Sequence, residues 1–99
     1  MLTETNIIEI NKILSLCGVA RMTTSEIDYL DAIGTTVTDD CGNYKVAQTV
    51  ILDRLKSENC SKNALPRLYH LAEANSCSLQ EKKVEKPEAT VMLLGGGLR

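Results

Sequence analysis

Phenylalanine and tryptophan are absent from this 99-residue chain, and three tyrosines are its only aromatic rings. A core built without large aromatics must be aliphatic, drawn from isoleucine, leucine and valine. Such interiors suit helix packing, whereas sheet sandwiches usually use more aromatic and β-branched side chains. No apolar run approaches the ~20 residues of a membrane span. The cysteines, Cys17, Cys41, Cys60 and Cys77, form no C-x-x-C pair, so the zinc-ribbon and thioredoxin-type signatures are missing. G-x-S-x-G, a phosphate-binding loop and H-E-x-x-H are missing too. The opening "MLTETNIIEI" lacks the basic start and apolar run of a signal peptide. These absences predict a cytoplasmic, non-enzymatic protein with reduced thiols, Cys17 in the core, and no catalytic, cofactor or metal site.

What is present fits one small domain with a modest core. The net charge of −2 predicts no polyanion partner for the chain as a whole. Its distribution is uneven: residues 1–43 carry two bases against seven acids. Residues 54–70 hold Arg54, Lys56, Lys62 and Arg67 against Glu58 alone.

Hydrophobic periodicity predicts a helix over Glu4 to Val19, with Ile7, Ile10, Ile13, Leu14 and Cys17 on one arc. Ile8, Leu16 and Val19 fall outside that arc. Either the helix is enclosed, or these residues meet a second surface such as a partner. Gly18 suits a left-handed cap. "TTSE" is a capping box, Thr23 with Glu26, opening a helix to about Ile33. Its buried side is expected to hold Ile27, Leu30, Ile33 and Tyr29. "TTVTDDCGNY" reads as loop, with a short extended piece at Thr35 to Thr38 and turn formers at Asp39, Asp40, Gly42 and Asn43. The alternating ligands and distal glutamate of a calcium-binding loop are missing from it. A third helix, Tyr44 to Ser57, is apolar over more than half its circumference, which suits the centre of a bundle. Arg54 projects from that apolar arc, so it must reach water or pair with an N-terminal aspartate. The fold expected is all-α: about four helices over residues 1–79, then a polar linker and an apolar, glycine-rich tail over residues 80–99.

The fourth helix lies in "SKNALPRLYHLAEAN". With a cap at Ser61 or Asn63, Pro66 falls in the first turn, where its missing N–H is harmless. Leu65, Leu68, Tyr69 and Ala72 make one face, and Asn63, Arg67, His70 and Ala74 make the other. Arginine and asparagine are the side chains that make bidentate contacts to base edges. The third helix, a turn and this helix would form a helix-turn-helix unit. On that reading Lys56, Lys62, Asn63, Arg67 and His70 contact nucleic acid. Cys77 is about two turns from His70, too far for a nucleophile pair.

The stretch "ALPRLYHLAEANSCSL" resembles the helix after the recognition helix in phage-repressor-like regulators. It is also similar to a short segment of the smaller subunit of the flagellar master regulator. Each resemblance covers about a sixth of the chain, without the rest of either pattern. The first implies that this helix is scaffold rather than reader.

The function expected is that of a small regulator, adaptor or phage- or plasmid-type inhibitor that binds another protein. Val91, Met92, Leu93, Leu94, Ile8 and Leu16 are the expected contacts, and a homodimer would use the same kind of surface. The alternative is a DNA-binding regulator using residues 62–74.

Overall fold

The computed structural model describes residues 2–82 and residue 84. These residues form four helices and no strand: α1 (Glu4–Leu16), α2 (Thr24–Ala32), α3 (Asp40–Lys56) and α4 (Ala64–Ala74). The all-α bundle expected from the aliphatic composition is the fold observed. No helix of the described residues is long and apolar enough to cross a membrane.

Helix α3 is the centre. Helix α1 lies parallel to it: the Asn6 amide donates to Asn43 at one end, and Arg54 reaches the carbonyls of Ala20 and Arg21 at the other. Helix α4 runs antiparallel to α3, tied through Gln48 and Tyr69 and through a bond between Cys41 and Cys77. Helix α2 runs back along α1. The Leu2 N–H donates to Asp31 at 2.8 Å, and the Met22 N–H donates to Asn11 at 2.7 Å. Ile10, Leu14, Cys17, Ile51 and Leu68 are fully enclosed where α1, α3 and α4 meet.

All four helices stop in the same way. Gly18, Gly34, Glu58 and Ser76 take left-handed backbone angles, with φ of 75°, 76°, 60° and 61°. In each case the next N–H reaches back five residues: Val19 to Leu14, Thr35 to Leu30, Asn59 to Arg54, Cys77 to Ala72. The reversal satisfies carbonyls that a helix end leaves free. It also turns Val19 into the core, where Leu14 lies as well. Val19 therefore does not belong to the outer face of α1, because the helix ends before it at Leu16.

Four other expectations are corrected. Helix α3 starts at Asp40, four residues early, because Asp39 caps it by accepting the Gly42 N–H at 2.8 Å. Asn43, read as a turn former, is buried and accepts from Asn6. Thr35 to Thr38 form no strand. Tyr29 and Ile33, expected inside, are 61% and 55% exposed. Glu26 sets the rotation of α2 by pairing with Arg54, which turns Leu30 and Ile27 inward. Tyr29 then lies roughly 100° from Leu30, outside the contact.

Arg54 does not reach water, and its partner is a glutamate rather than an aspartate. Its Nε donates to Glu26 Oε2 at 3.0 Å and its Nη2 to Glu26 Oε1 at 2.6 Å. Its Nη1 donates to the Ala20 carbonyl and its Nη2 also donates to the Arg21 carbonyl. The guanidinium is thus buried with its hydrogen bonds made, which is the condition under which a buried charge is tolerated. The Arg54 hydrogen bonds hold the Glu26 carboxyl below its ordinary value of 4.5, against a smaller opposing effect of burial.

Cys41 and Cys77 form a disulfide, which corrects the expectation of reduced thiols at those positions. Cys17 is a free thiol in the core, as expected, and Cys60 is free and half-buried. The disulfide closes the open end of the α3–α4 hairpin. The chain after it stays on the bundle. The Gln48 amide donates to the Gln80 carbonyl and to Tyr69 Oη, the Lys82 N–H donates to Tyr69 Oη, and Leu79 and Val84 pack against the core.

Two outcomes follow from these ties. Replacing Arg54 by Ala strands the Glu26 carboxylate and should cost about 3 kcal/mol in urea denaturation. Because the folded-state pKa of Glu26 is depressed, its contribution is complete above the ordinary value of 4.5. It should be lost as pH falls through the folded value, and the wild type should show this acid loss more strongly than Glu26→Gln. The disulfide spans 36 residues, so the Cys41→Ser, Cys77→Ser chain should lose about 4 kcal/mol by the loop-entropy relation.

Candidate functional site

Helix α4 opens as the sequence implies. Ser61 Oγ accepts the Asn63 N–H at 3.1 Å, Asn63 stands at the cap without a side-chain capping bond, and Pro66 falls in the first turn. Leu65, Leu68 and Ala72 are buried and Tyr69 is half-buried, while Asn63, Arg67, His70 and Ala74 are exposed. The two faces are as expected.

Asn63, Arg67 and His70 share the exposed face of α4, but the candidate nucleic-acid residues have different neighbours. Arg67 leans toward α1, its Nη1 only 3.0 Å from where a Cβ on Gly18 would sit. It also acts on the buried Cys17 thiol, whose pKa burial raises and Arg67 lowers. The last turn of α1 has no basic residue of its own. A cation there complements the negative end of the helix dipole, so Arg67 has a structural use. Lys62 and His70 border a groove of about 690 Å³ between α3 and α4, shared with Glu58, Glu73 and Glu81. Lys56 lines a different groove, of about 550 Å³, between α2 and α3. Acids among the bases lower the phosphate attraction that nucleic-acid binding depends on.

The α3–α4 connection also differs from a helix-turn-helix. Seven residues, 57–63, join the two helices. The helices pair antiparallel, with Gln48 opposite Tyr69 and Cys41 bonded to Cys77. A helix-turn-helix uses a 3–4-residue turn and crosses at ~90–120°.

Cys60 lines the same groove as His70, a proximity the sequence spacing did not reveal. Its Sγ is directed at the Ile51 carbonyl, 4.0 Å away. Burial pushes its pKa up, with Arg54 opposing. A raised pKa lowers the thiolate fraction of Cys60. Among the described residues, no three His, Cys, Asp or Glu side chains gather where a metal ion could be held.

Of the candidate protein contacts, Ile8 and Leu16 stand 58% and 62% exposed on α1, so that helix is not enclosed. Val91, Met92, Leu93 and Leu94 lie outside the described residues. Sequence periodicity missed the apolar surface on α2, where Tyr29 and Ile33 face outward. The clue lay in Arg54: a lone cation in an apolar arc needs an acid, and Glu26 stands in the first turn of the preceding helix.

Gly18→Ala should cost about 1–2 kcal/mol from the left-handed backbone alone, with a further cost from displacing Arg67. In the Arg67→Ala background the same change should cost less. Equal costs in both backgrounds, measured by urea denaturation, would mean that Arg67 does not rest on the α1 end.

No family model matches the chain, and no curated protein or solved structure matches it either.

Proposed function

We propose that this chain is a small non-enzymatic regulator, adaptor or inhibitor that acts by binding another protein. The carrying observation is the outer face of α1. Ile8 and Leu16 are well exposed on a helix whose inner side already supplies Ile10, Ile13 and Leu14 to the core. Neither residue belongs to the core cluster. They lie two turns apart with exposed Lys12 midway between them and Glu4 one turn beyond, so a partner covering this stripe would bury two apolar side chains and meet both charges. Val91 to Leu94 are proposed as a second contact.

DNA binding is the second reading. The exposure of Lys62, Asn63, Arg67 and His70 favours it. The acids beside Lys62 and His70, and the placement of Arg67 over Gly18, weigh against it. The cytoplasm was the compartment expected from the sequence. A Cys41–Cys77 bond is more at home in an oxidising compartment. Alkylation of the protein as it comes from cells decides between them: a cytoplasmic home requires both thiols to be free.

The test is affinity capture from the native host, with nuclease treatment as control. The wild type is compared with Ile8→Glu, Leu16→Glu and a chain ending at residue 89. The protein-binding reading expects a nuclease-resistant protein partner that is lost with the α1 changes or with the truncation. Retention of every captured protein by all three variants would remove both proposed contacts. A DNA reader would instead bind a duplex with steep salt dependence and weaken on Arg67→Ala.

A further inference from the structure

The chain does not leave the bundle where α4 ends. From Cys77 it doubles back along the seam between α3 and α4, in the direction of α3. Cys77 is bonded to Cys41 in the first turn of α3, and the Gln80 carbonyl accepts from Gln48 farther along that helix. The Lys82 N–H donates to Tyr69 Oη, and Val84 lines the groove that Leu55 lines from near the other end of α3. This segment is a strap over the α3–α4 hairpin.

The strap is held unevenly. Its start has a covalent bond to α3, and the Cys77 N–H donates to the Ala72 carbonyl. Beyond that point it has the bonds from Gln48 and to Tyr69, at 2.8 Å and 3.0 Å, and the half-buried side chains of Leu79 and Val84. Ser78, Gln80, Glu81 and Lys82 are exposed. Such hydrogen bonds contribute little net, because water replaces them. The core is complete without the strap: Leu79 and Val84 pack against it from outside, and its fully enclosed side chains come from α1, α3, α4 and the cap of α1. Gln48 is buried where the strap crosses it. If the strap lifts, the Gln48 amide keeps Tyr69 and gains water, so no polar group is stranded.

We propose that the Cys41–Cys77 bond is a redox latch: its reduction frees the strap while the four helices stay folded. A dithiol reductant opens the latch in two exchanges. One of its thiolates attacks the protein disulfide, forming a mixed disulfide and releasing one cysteine as thiolate. Its second thiol then displaces the other cysteine. The protein gains two electrons and two protons as two thiols, and the reductant leaves as its own disulfide. Cys41 is half-buried and Cys77 buried, so the approach is from the Cys41 side. Lifting the strap takes Glu81 and Val84 off the wall of the α3–α4 groove and bares Gln48 and Tyr69. The oxidised and reduced proteins thus present different surfaces along this seam. The latch uses no residue of the outer face of α1, so its failure leaves the protein-binding reading untouched.

Amide exchange of the full chain, read by NMR before and after dithiothreitol, tests the latch. Reduction should speed exchange of the Lys82 amide about tenfold or more. Circular dichroism and the chemical shifts of α1 and α2 should stay as they were, and reoxidation should restore the slow exchange. The Cys41→Ser, Cys77→Ser chain should behave as the reduced protein does. Gln48→Ala removes the tie to Gln80 but keeps the disulfide, so in the oxidised chain it should leave Lys82 protected. Unchanged Lys82 exchange on reduction would overturn the proposal. So would loss of helix signal together with the strap, or release of Lys82 by Gln48→Ala as complete as that by reduction.

Discussion

The fold depends on how one cation is kept out of water. Arg54 sits in the apolar arc of α3, and an unpaired guanidinium there would cost more than a small domain has to spare. Its solution is to gather two other parts of the chain around itself. The Ala20 and Arg21 carbonyls bring in the loop after α1, and the Glu26 carboxylate brings in the first turn of α2. Glu26 also closes the capping box with Thr23. One side chain therefore both starts α2 and fixes it against α3. Hydrophobic burial holds α1, α3 and α4 together, whereas α2 is held largely by this polar clamp.

That division has a consequence for the surface. A helix placed by apolar packing turns its apolar side inward. A helix placed by an ion pair turns its carboxylate inward and takes whatever rotation follows. Tyr29 and Ile33 are left outside for that reason, each bordering a cavity against α3. On the far side, the α3–α4 hairpin is closed by the disulfide at one end, and Gln48 and Tyr69 hold the following chain across it. Arg67 is drawn to the end of α1 there, which leaves Lys62 and His70 among acids rather than in a basic patch.

Much of the fold was legible from local pattern. The absence of large aromatics, the capping box at Thr23, the glycines closing α1 and α2, and the first-turn place of Pro66 all act within a few residues. The central role of α3 was legible as well, because the width of its apolar face is a local property. What the sequence hid was non-local or masked by residue type. Glu58 and Ser76 end helices in a conformation usually given to glycine, so no signal marked those stops. Asn43 and Gly42 look like turn residues but lie in a helix, since Asp39 supplies the cap ahead of them. The Cys41–Cys77 pairing could not be read from widely spaced cysteines. The polar stripe of α4 was read correctly as a face, but its neighbours were invisible, and they decide what the face can do.

Helix α2 is pinned by the Arg54–Glu26 pair, with Ile27 and Leu30 inward and Tyr29 and Ile33 outward. Amide hydrogen exchange of the wild type and Glu26→Gln tests this directly. Protection across residues 24–32 should fall in the variant far more than protection within α3 and α4. An equal fall in all helices, or no fall in α2, would contradict it.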